Sequence, residues 1–500
     1  MLGAAAISGC GLRVPQSEVR SAAAAAEGAG GSSGSSGTGT ASGSAGGASN
    51  GLTTSAGANG STGAGGTGSS GAGGPAGSGG SASTGSGSSG RGVTGGSSGT
   101  SGGTGGATAG GSGPSATVPA GGNGGSTAVG VTANSITVGN VSDVGGPVPG
   151  LFAGGPDGTQ AYFDYINSQG GIFGRMIHLQ ISDDSLQCSN NEADYDNTVG
   201  SVFAYVGSWS LDDNCGATVM KAHPQVPMVQ AFLSTAMQDL PNAFAEVPYT
   251  NLINTGPFLW FKQKYPTDIT SVGTIVGNQG SAVAAWQHTK QAIQSIGYKV
   301  VYEDDFPPAQ SDFTADVIRM KSQGVKFVLL QSVNAPDAAI FASEAAEQGF
   351  KPAVWACAVC YAGSYISESG GAANVQNQYA FITFADFLGD QGNPEVNLFL
   401  SWLHRAFPSF TPDEFAAESW ANAALFVNAL KQAGPDLTQQ KVLAALSSTN
   451  VFNDNNMVTS ADVGKKSPSN CYNILQIQSG NWTKVADPPT GFRCDGSFVP

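Results

Sequence analysis

Cys357-Ala358-Val359-Cys360 is the spacing in this chain that most resembles chemistry. A redox role for a C-x-x-C pair needs a helix N-terminus directly after a strand, to lower the pKa of the first thiol. The competing reading is a structural disulfide or packed thiols. Asp183-Asp184 could pass for a catalytic pair, but neighbours on extended backbone point to opposite faces, which favours loop and cap roles. Gly207-Ser208-Trp209-Ser210-Leu211 lacks the closing glycine of a nucleophile elbow. Gly464-Lys465-Lys466-Ser467 lacks the spacing of a phosphate-binding loop. His178, His223, His288 and His404 are scattered, with no H-E-x-x-H and no second C-x-x-C. No enzyme, no metal and no cofactor is therefore expected.

The elements that would carry these residues alternate. Residues 135–141 are β-branched and alternating, a strand. Residues 157–168 place Ala161, Phe163, Tyr165 and Ile166 at helical spacing, and Asn167-Ser168-Gln169-Gly170-Gly171 ends that helix. Strands are expected at 176–181, 202–206 and 226–230, with helices at 191–199 and just after the 207–213 loop. The pattern restarts with strands at 270–276, 299–303, 326–330 and 353–356, and helices at 282–296, 312–323 and 335–348. Helices at 394–406, 414–432 and 438–447 follow, then a hairpin of 472–478 and 481–485 turning at Ser479-Gly480. Repeated β-α units predict α/β architecture with parallel sheets, and two such series predict two lobes.

Composition divides the chain. Residues 21–130 hold 41 of the 74 glycines and only two charges, Glu27 and Arg91. Such a segment cannot bury enough apolar surface to offset backbone ordering, so a long disordered tether is expected. Flexible-chain scaling gives about 110 such residues a reach of roughly 55–60 Å. The chain has a net charge of −15. An acidic surface argues against nucleic acid and anionic membrane faces. Ile7-Ser8-Gly9-Cys10 resembles a bacterial lipobox, which would make Cys10 a lipidation site. The upstream stretch is shorter than a signal peptide, so the chain is expected to begin inside a longer one; a chance cysteine is the alternative. Without Cys10, six cysteines remain, an even number for an exported protein. Proximity suggests Cys188–Cys215, Cys357–Cys360 and Cys471–Cys494.

An ordered set of segments resembles the leucine/isoleucine/valine-type substrate-binding proteins of ABC importers. Residues 162–175, Tyr-Phe-Asp-Tyr-Ile-Asn-Ser-Gln-Gly-Gly-Ile-Phe-Gly-Arg, resemble the family's INAxGGIxGR signature. Asp183-Asp184, the helix at 312–323, the helix around Trp420-Ala421-Asn422 and the Ser467-Pro468 segment fit in the same order. The resemblance implies a type I periplasmic-binding fold: two doubly wound lobes joined by three crossings, near 252–256, 381–387 and 451–457. It implies lobe 1 as 131–254 plus 385–453, lobe 2 as 255–384 plus 454–500, and 1–20 as a signal remnant.

The resemblance also implies a monomer that binds a small polar solute between its lobes and hands it to ABC permease subunits. A branched-chain amino acid, an amide or a related carboxylate would suit. A sensor domain feeding a separate signalling chain is the alternative. Its ligand positions fall on Trp209, Ser210, Phe232 and Ser234 in lobe 1, and on Gln279, Asn334 and Tyr361 in lobe 2. Capping or lobe packing competes at each. No acid is clearly placed after residue 356 for an ammonium group, and Leu211 stands where a hydroxyl is expected.

Overall fold

The computed structural model describes residues 116–248, 252–389 and 392–499. Cys10 and the tether up to residue 115 lie outside the described residues. Strands and the longer helices are numbered in chain order. Lobe 1 begins β1 (Ser135–Ser142), α1 (Gly154–Ser168), β2 (Met176–Asp183), α2 (Cys188–Thr198), β3 (Ala204–Val206), α3 (Asp213–Ala222), β4 (Met228–Val229) and β5 (Ala243–Phe244). These five strands are parallel, in the order β2-β1-β3-β4-β5.

Lobe 2 opens with β6 (Ile253–Asn254) and α4 (Gly256–Lys264). It continues with β7 (Val272–Gly277), α5 (Gly280–Ser295), β8 (Val300–Phe306), α6 (Thr314–Ser322), β9 (Phe327–Leu330), α7 (Ala335–Glu347), β10 (Val354–Cys357) and β11 (Tyr379–Ile382). The chain returns to lobe 1 as α8 (Pro394–Ala406), α9 (Glu414–Ala433) and α10 (Gln439–Ser447). It then closes lobe 2 with β12 (Asn473–Gln478), β13 (Asn481–Lys484) and β14 (Phe498–Val499), which pairs with β6. The second sheet runs β13-β12-β11-β10-β9-β7-β8. Its parallel strands repeat the order of the first sheet, while β12 and β13 add an antiparallel hairpin at one edge.

This is the two-lobed α/β fold that the resemblance implies. Strand β11 was not expected, and its last two residues overlap the start of the crossing expected at 381–387; its Tyr-Ala-Phe-Ile run has no alternation to mark it. Phe384 bridges Val458, so two of the connections between lobes run side by side.

Residues 116–130 also differ from expectation, since they are docked rather than part of a free linker. Arg175 holds them. Its Nε donates to Thr132 O at 2.7 Å, Nη1 to Pro435 O at 2.9 Å, and Nη2 to Gly125 O at 2.9 Å and to Asn123 O. A low-complexity composition is therefore ordered here, where a buried guanidinium supplies donors for its carbonyls.

Helix α9 is the centre of lobe 1, with almost every residue buried. Helix α1 crosses it through glycine. A Cβ at Gly158 would drive into the Ala416 carbonyl oxygen. Gly158→Ala is expected to separate the two helices and cost about 2 kcal/mol or more, measured as a lower urea midpoint at unchanged slope.

Candidate functional site

In open parallel sheets, ligands sit beyond the carboxyl ends of strands where the strand order reverses. Both sheets reverse there, between β1 and β3 and between β7 and β9. The loops after those four strands meet in one cavity of about 160 Å³. Lobe 1 contributes Val148, Leu151, Phe152, Trp209 and Leu211; lobe 2 contributes Gln279, Gln331, Ser332 and Asn334. The lobes touch across it: Ser281 Oγ donates to Leu211 O at 2.9 Å.

The lobe 1 wall is apolar. Phe152, Trp209 and Phe415 form a trio with ring centroids 4.7–5.5 Å apart. Leu151, Leu186, Leu211 and Leu233 surround it. Trp209 is 4% exposed, and its Nε1 donates to Ser419 Oγ at 3.0 Å. An indole anchored this way presents a fixed apolar surface.

Carboxylates behind this wall hold its backbone. Asp143 accepts from Leu186 N at 2.9 Å and from Leu211 N at 2.8 Å. Asp213 accepts from Leu233 N at 2.8 Å and Ser234 N at 3.2 Å. Burial, with the Asp184 hydrogen bond and charge added, pushes Asp143 up to about 9. Burial pushes Asp213 up to about 6. Ser185 and Leu186 are both left-handed, with φ of 56° and 58°, so Leu186 is held at the cavity against backbone preference. Asp183 steadies that turn by accepting from Val144 N, Gly145 N and Ser185 N. Asp184 is buried and accepts from Asn191 at 2.7 Å. Both are structural here, in line with their reading as loop and cap residues.

The cavity lining includes Trp209, Gln279 and Asn334 from the expected set. Tyr361 lines an adjoining chamber of about 290 Å³, which shares Leu151, Val359 and Phe415 with the first. Its hydroxyl donates to Asp386 and accepts from Leu388 N at 2.8 Å. The other three face inward or cap. Ser210 Oγ accepts from Asn191 Nδ2 at 3.1 Å and Asp212 N at 3.1 Å. Phe232 packs in the lobe 1 core with Met228 and Met237. Ser234 Oγ accepts from Met237 N and caps the short helix Thr235–Gln238.

Sequence reasoning missed Leu151, Phe152, Leu233 and Phe415, and it missed Asp337. That carboxylate is 4% exposed, lines the first cavity and accepts from Asn334 Nδ2 at 2.7 Å. Burial pushes Asp337 up to about 6. The leucines carried a usable signal, since large apolar residues in polar turns have no local reason to be there.

The cysteines pair as proximity suggested: Cys188–Cys215, Cys357–Cys360 and Cys471–Cys494. Cys357 and Cys360 are each 1% exposed. Their disulfide clamps the loop that presents Val359 to both chambers, a structural role. Among the described residues no group of three or more His, Cys, Asp or Glu is placed to hold a metal, and no helix is long and apolar enough to cross a membrane.

Two doubly wound lobes around a shared cleft define the class of type I periplasmic binding proteins. Residues 135–481 match the family model described as periplasmic binding protein, and the chain belongs to that family. Solved structures share the fold, three of them as follows. One is a fatty acid ABC transporter substrate-binding protein from Thermomonospora curvata, with 18% identity and a TM-score of 0.63 over 76% of this chain and 97% of that one. Another is a substrate-binding periplasmic protein from Ralstonia solanacearum, at 16% and 0.62 over 70% and 100%. The third is a branched-chain amino acid ABC transporter from Thermus thermophilus with bound valine, at 15% and 0.60 over 72% and 97%. No curated protein sequence matches this chain.

Proposed function

We propose that this protein is the extracytoplasmic solute-binding component of an ABC importer, working as a monomer that delivers its ligand to permease subunits. In this reading Cys10 carries the lipid anchor and the Gly/Ser tether lifts the lobes off the membrane. The lobes close on ligand by bending at the crossings. One observation carries the reading: a cavity at the switch points of both sheets, partly open to solvent, with an aromatic wall on one lobe and a few polar groups on the other. Pockets of that make-up bind small molecules, the polar groups setting orientation.

The wall narrows the expected solute. A small polar solute would leave Phe152, Trp209, Leu211 and Phe415 unmatched, whereas a branched-chain side chain or short alkyl chain would cover them. A volume of about 160 Å³ is close to the ~150 Å³ apolar cavity that takes benzene, so a body of roughly six heavy atoms fits this conformation.

The test is thermal unfolding of the full chain, stripped of co-purified ligand, against amino acids, amides, amines and short carboxylates. A ligand at about 100 times its Kd adds roughly 2.7 kcal/mol, expected to raise the midpoint by about 5 °C. Gln331→Ala, which removes an orienting amide, is expected to weaken that ligand about tenfold at unchanged basal stability. If no solute class moves the midpoint, the reading fails.

A further inference from the structure

A ligand carboxylate on lobe 1 would need hydroxyls or free backbone N–H groups to receive it. In this chain those groups are already engaged. The N–H groups of Leu186, Leu211, Leu233 and Ser234 all donate to Asp143 or Asp213. Ser234 Oγ caps its own helix, and Ser210 Oγ accepts from Asn191 and Asp212. A ligand carboxylate would therefore meet leucine side chains backed by the protein's own acids.

The lining points the same way. The two chambers together are lined by Asp337, Glu368, Asp413 and Glu414, and by no lysine, arginine or histidine among the described residues. Glu414 is 6% exposed, and its Oε1 has no hydrogen-bond partner. In the first chamber Gln331 Oε1 and Ser332 Oγ are also buried without partners. Buried acceptors left unpaired are costly, and a donor-bearing ligand removes that cost. The net charge of −15 attracts cations and repels anions over a longer range. One feature favours an anion, the N-terminus of α5, where Gln279 makes no side-chain cap. It competes with four carboxyl groups; burial, then the charges of Glu418 and Asp413, holds Glu414 well above its ordinary range, so an ammonium pairs with it by drawing off its proton.

Resting on the reading of this cleft as a solute site, we infer that its ligand is an apolar amine without a carboxylate. The alkyl or aryl body lies on the Phe152–Trp209–Phe415 wall, and the ammonium faces the carboxyl groups of the adjoining chamber, Glu414 first. Leu151, Val359 and Phe415 line both chambers, so the two adjoin, and the inference requires the ligand to pass between these side chains.

The experiment compares four six-carbon probes on the ligand-stripped full chain by calorimetry, with tryptophan emission as a second readout. Hexylamine is expected to bind at least tenfold more tightly than hexanamide, hexanoate or leucine. Glu414→Gln is expected to weaken hexylamine at least tenfold and to leave hexanamide unchanged. Hexanoate or leucine binding as tightly as hexylamine would overturn the amine assignment while leaving the solute-binding reading intact. Equal binding of hexanamide would overturn the cationic head group, and an unchanged hexylamine affinity in Glu414→Gln would overturn the assignment of Glu414. No response to any of the four would overturn the inference, and the reading of this cleft would then stand or fall on the wider solute panel.

Discussion

Arg175→Ala is expected to cost about 3 kcal/mol or more and to release residues 116–130 from lobe 1. The side chain is fully buried and donates to carbonyls of Asn123, Gly125, Thr132 and Pro435. Three separate stretches of chain therefore lose donors at once. Each buried acceptor left unpaired costs roughly 1–3 kcal/mol, less where water can enter. Lysine cannot replace the planar fork, because a single ammonium does not reach carbonyls on opposite sides. Arg175→Lys should fall between wild type and alanine. Urea unfolding gives the stability change, and hydrogen exchange across residues 116–135 shows where it acts. A cost under about 0.5 kcal/mol, or unchanged exchange, would sink the claim that this arginine organises the start of the lobe. The ligand cleft should be unaffected, since none of the four carbonyls lines it.

Arg175 also shows how far the sequence could be read. Its place in the Gly-Gly-Ile-Phe-Gly-Arg segment marked it as a family feature, yet nothing in the string says what it holds. Its acceptors come from Pro435, far along the chain, and from a low-complexity stretch that composition assigns to disorder. Apart from the two-residue β5 and from β11, the strands of both sheets were legible because alternation and β-branching are local. Strand β11 was not, because a short apolar run fits a crossing as well as a strand.

The cleft was half legible for a similar reason. The topological rule locates the loops after β1, β3, β7 and β9, and so finds Trp209, Gln279 and Asn334. It does not say which way a side chain turns. Ser210 and Ser234 turn inward because Asn191 and the backbone of Met237 offer hydrogen bonds there. Leu211 and Leu233 turn to the cavity because Asp143 and Asp213 bind their N–H groups from behind. Those carboxylates act across the lobe, and spacing along the chain does not encode such contacts.

The same buried acids make stability strongly dependent on pH: the thermal midpoint is expected to fall by about 5–10 °C between pH 5.5 and pH 8. Burial is the first cause in each case. It pushes Asp157, Asp213 and Asp337 up to about 6, Asp413 to about 7 and Asp143 to about 9. Burial, then the charge of Glu418, drives Glu246 well above its ordinary range; burial, then Glu395, does the same to Asp454. In the unfolded chain these groups lose their protons near pH 4. Between that value and the raised one, the folded state holds more protons than the unfolded state. Stability therefore falls as pH rises through this window.

A group that stays protonated when folded costs about 1.4 kcal/mol per pH unit, so Asp143 alone is worth about 3 kcal/mol over this range. Asp157, Asp213 and Asp337 contribute mainly below pH 6, whereas Asp143, Glu246 and Asp454 sustain the slope to pH 8. Asp183 acts in the opposite sense. Burial would raise it, but the backbone N–H groups of Gly145, Val144 and Ser185 hold it below its ordinary value. Its stabilisation is complete above the unfolded pKa and is lost as pH falls through the lowered folded value. The two trends place the stability maximum near pH 4.

Glu246→Gln separates this account from a general charge effect. Both carboxyl oxygens of Glu246 are buried without hydrogen-bond partners, so a neutral amide of the same shape removes the titration and keeps the packing. The variant is expected to gain stability at pH 8, change little at pH 5, and show a shallower slope between them. A midpoint that is flat or rises towards pH 8 in the parent protein would mean that water or a bound cation reaches these carboxyl groups. An unchanged slope in Glu246→Gln would move the titration to Asp143 and Asp454.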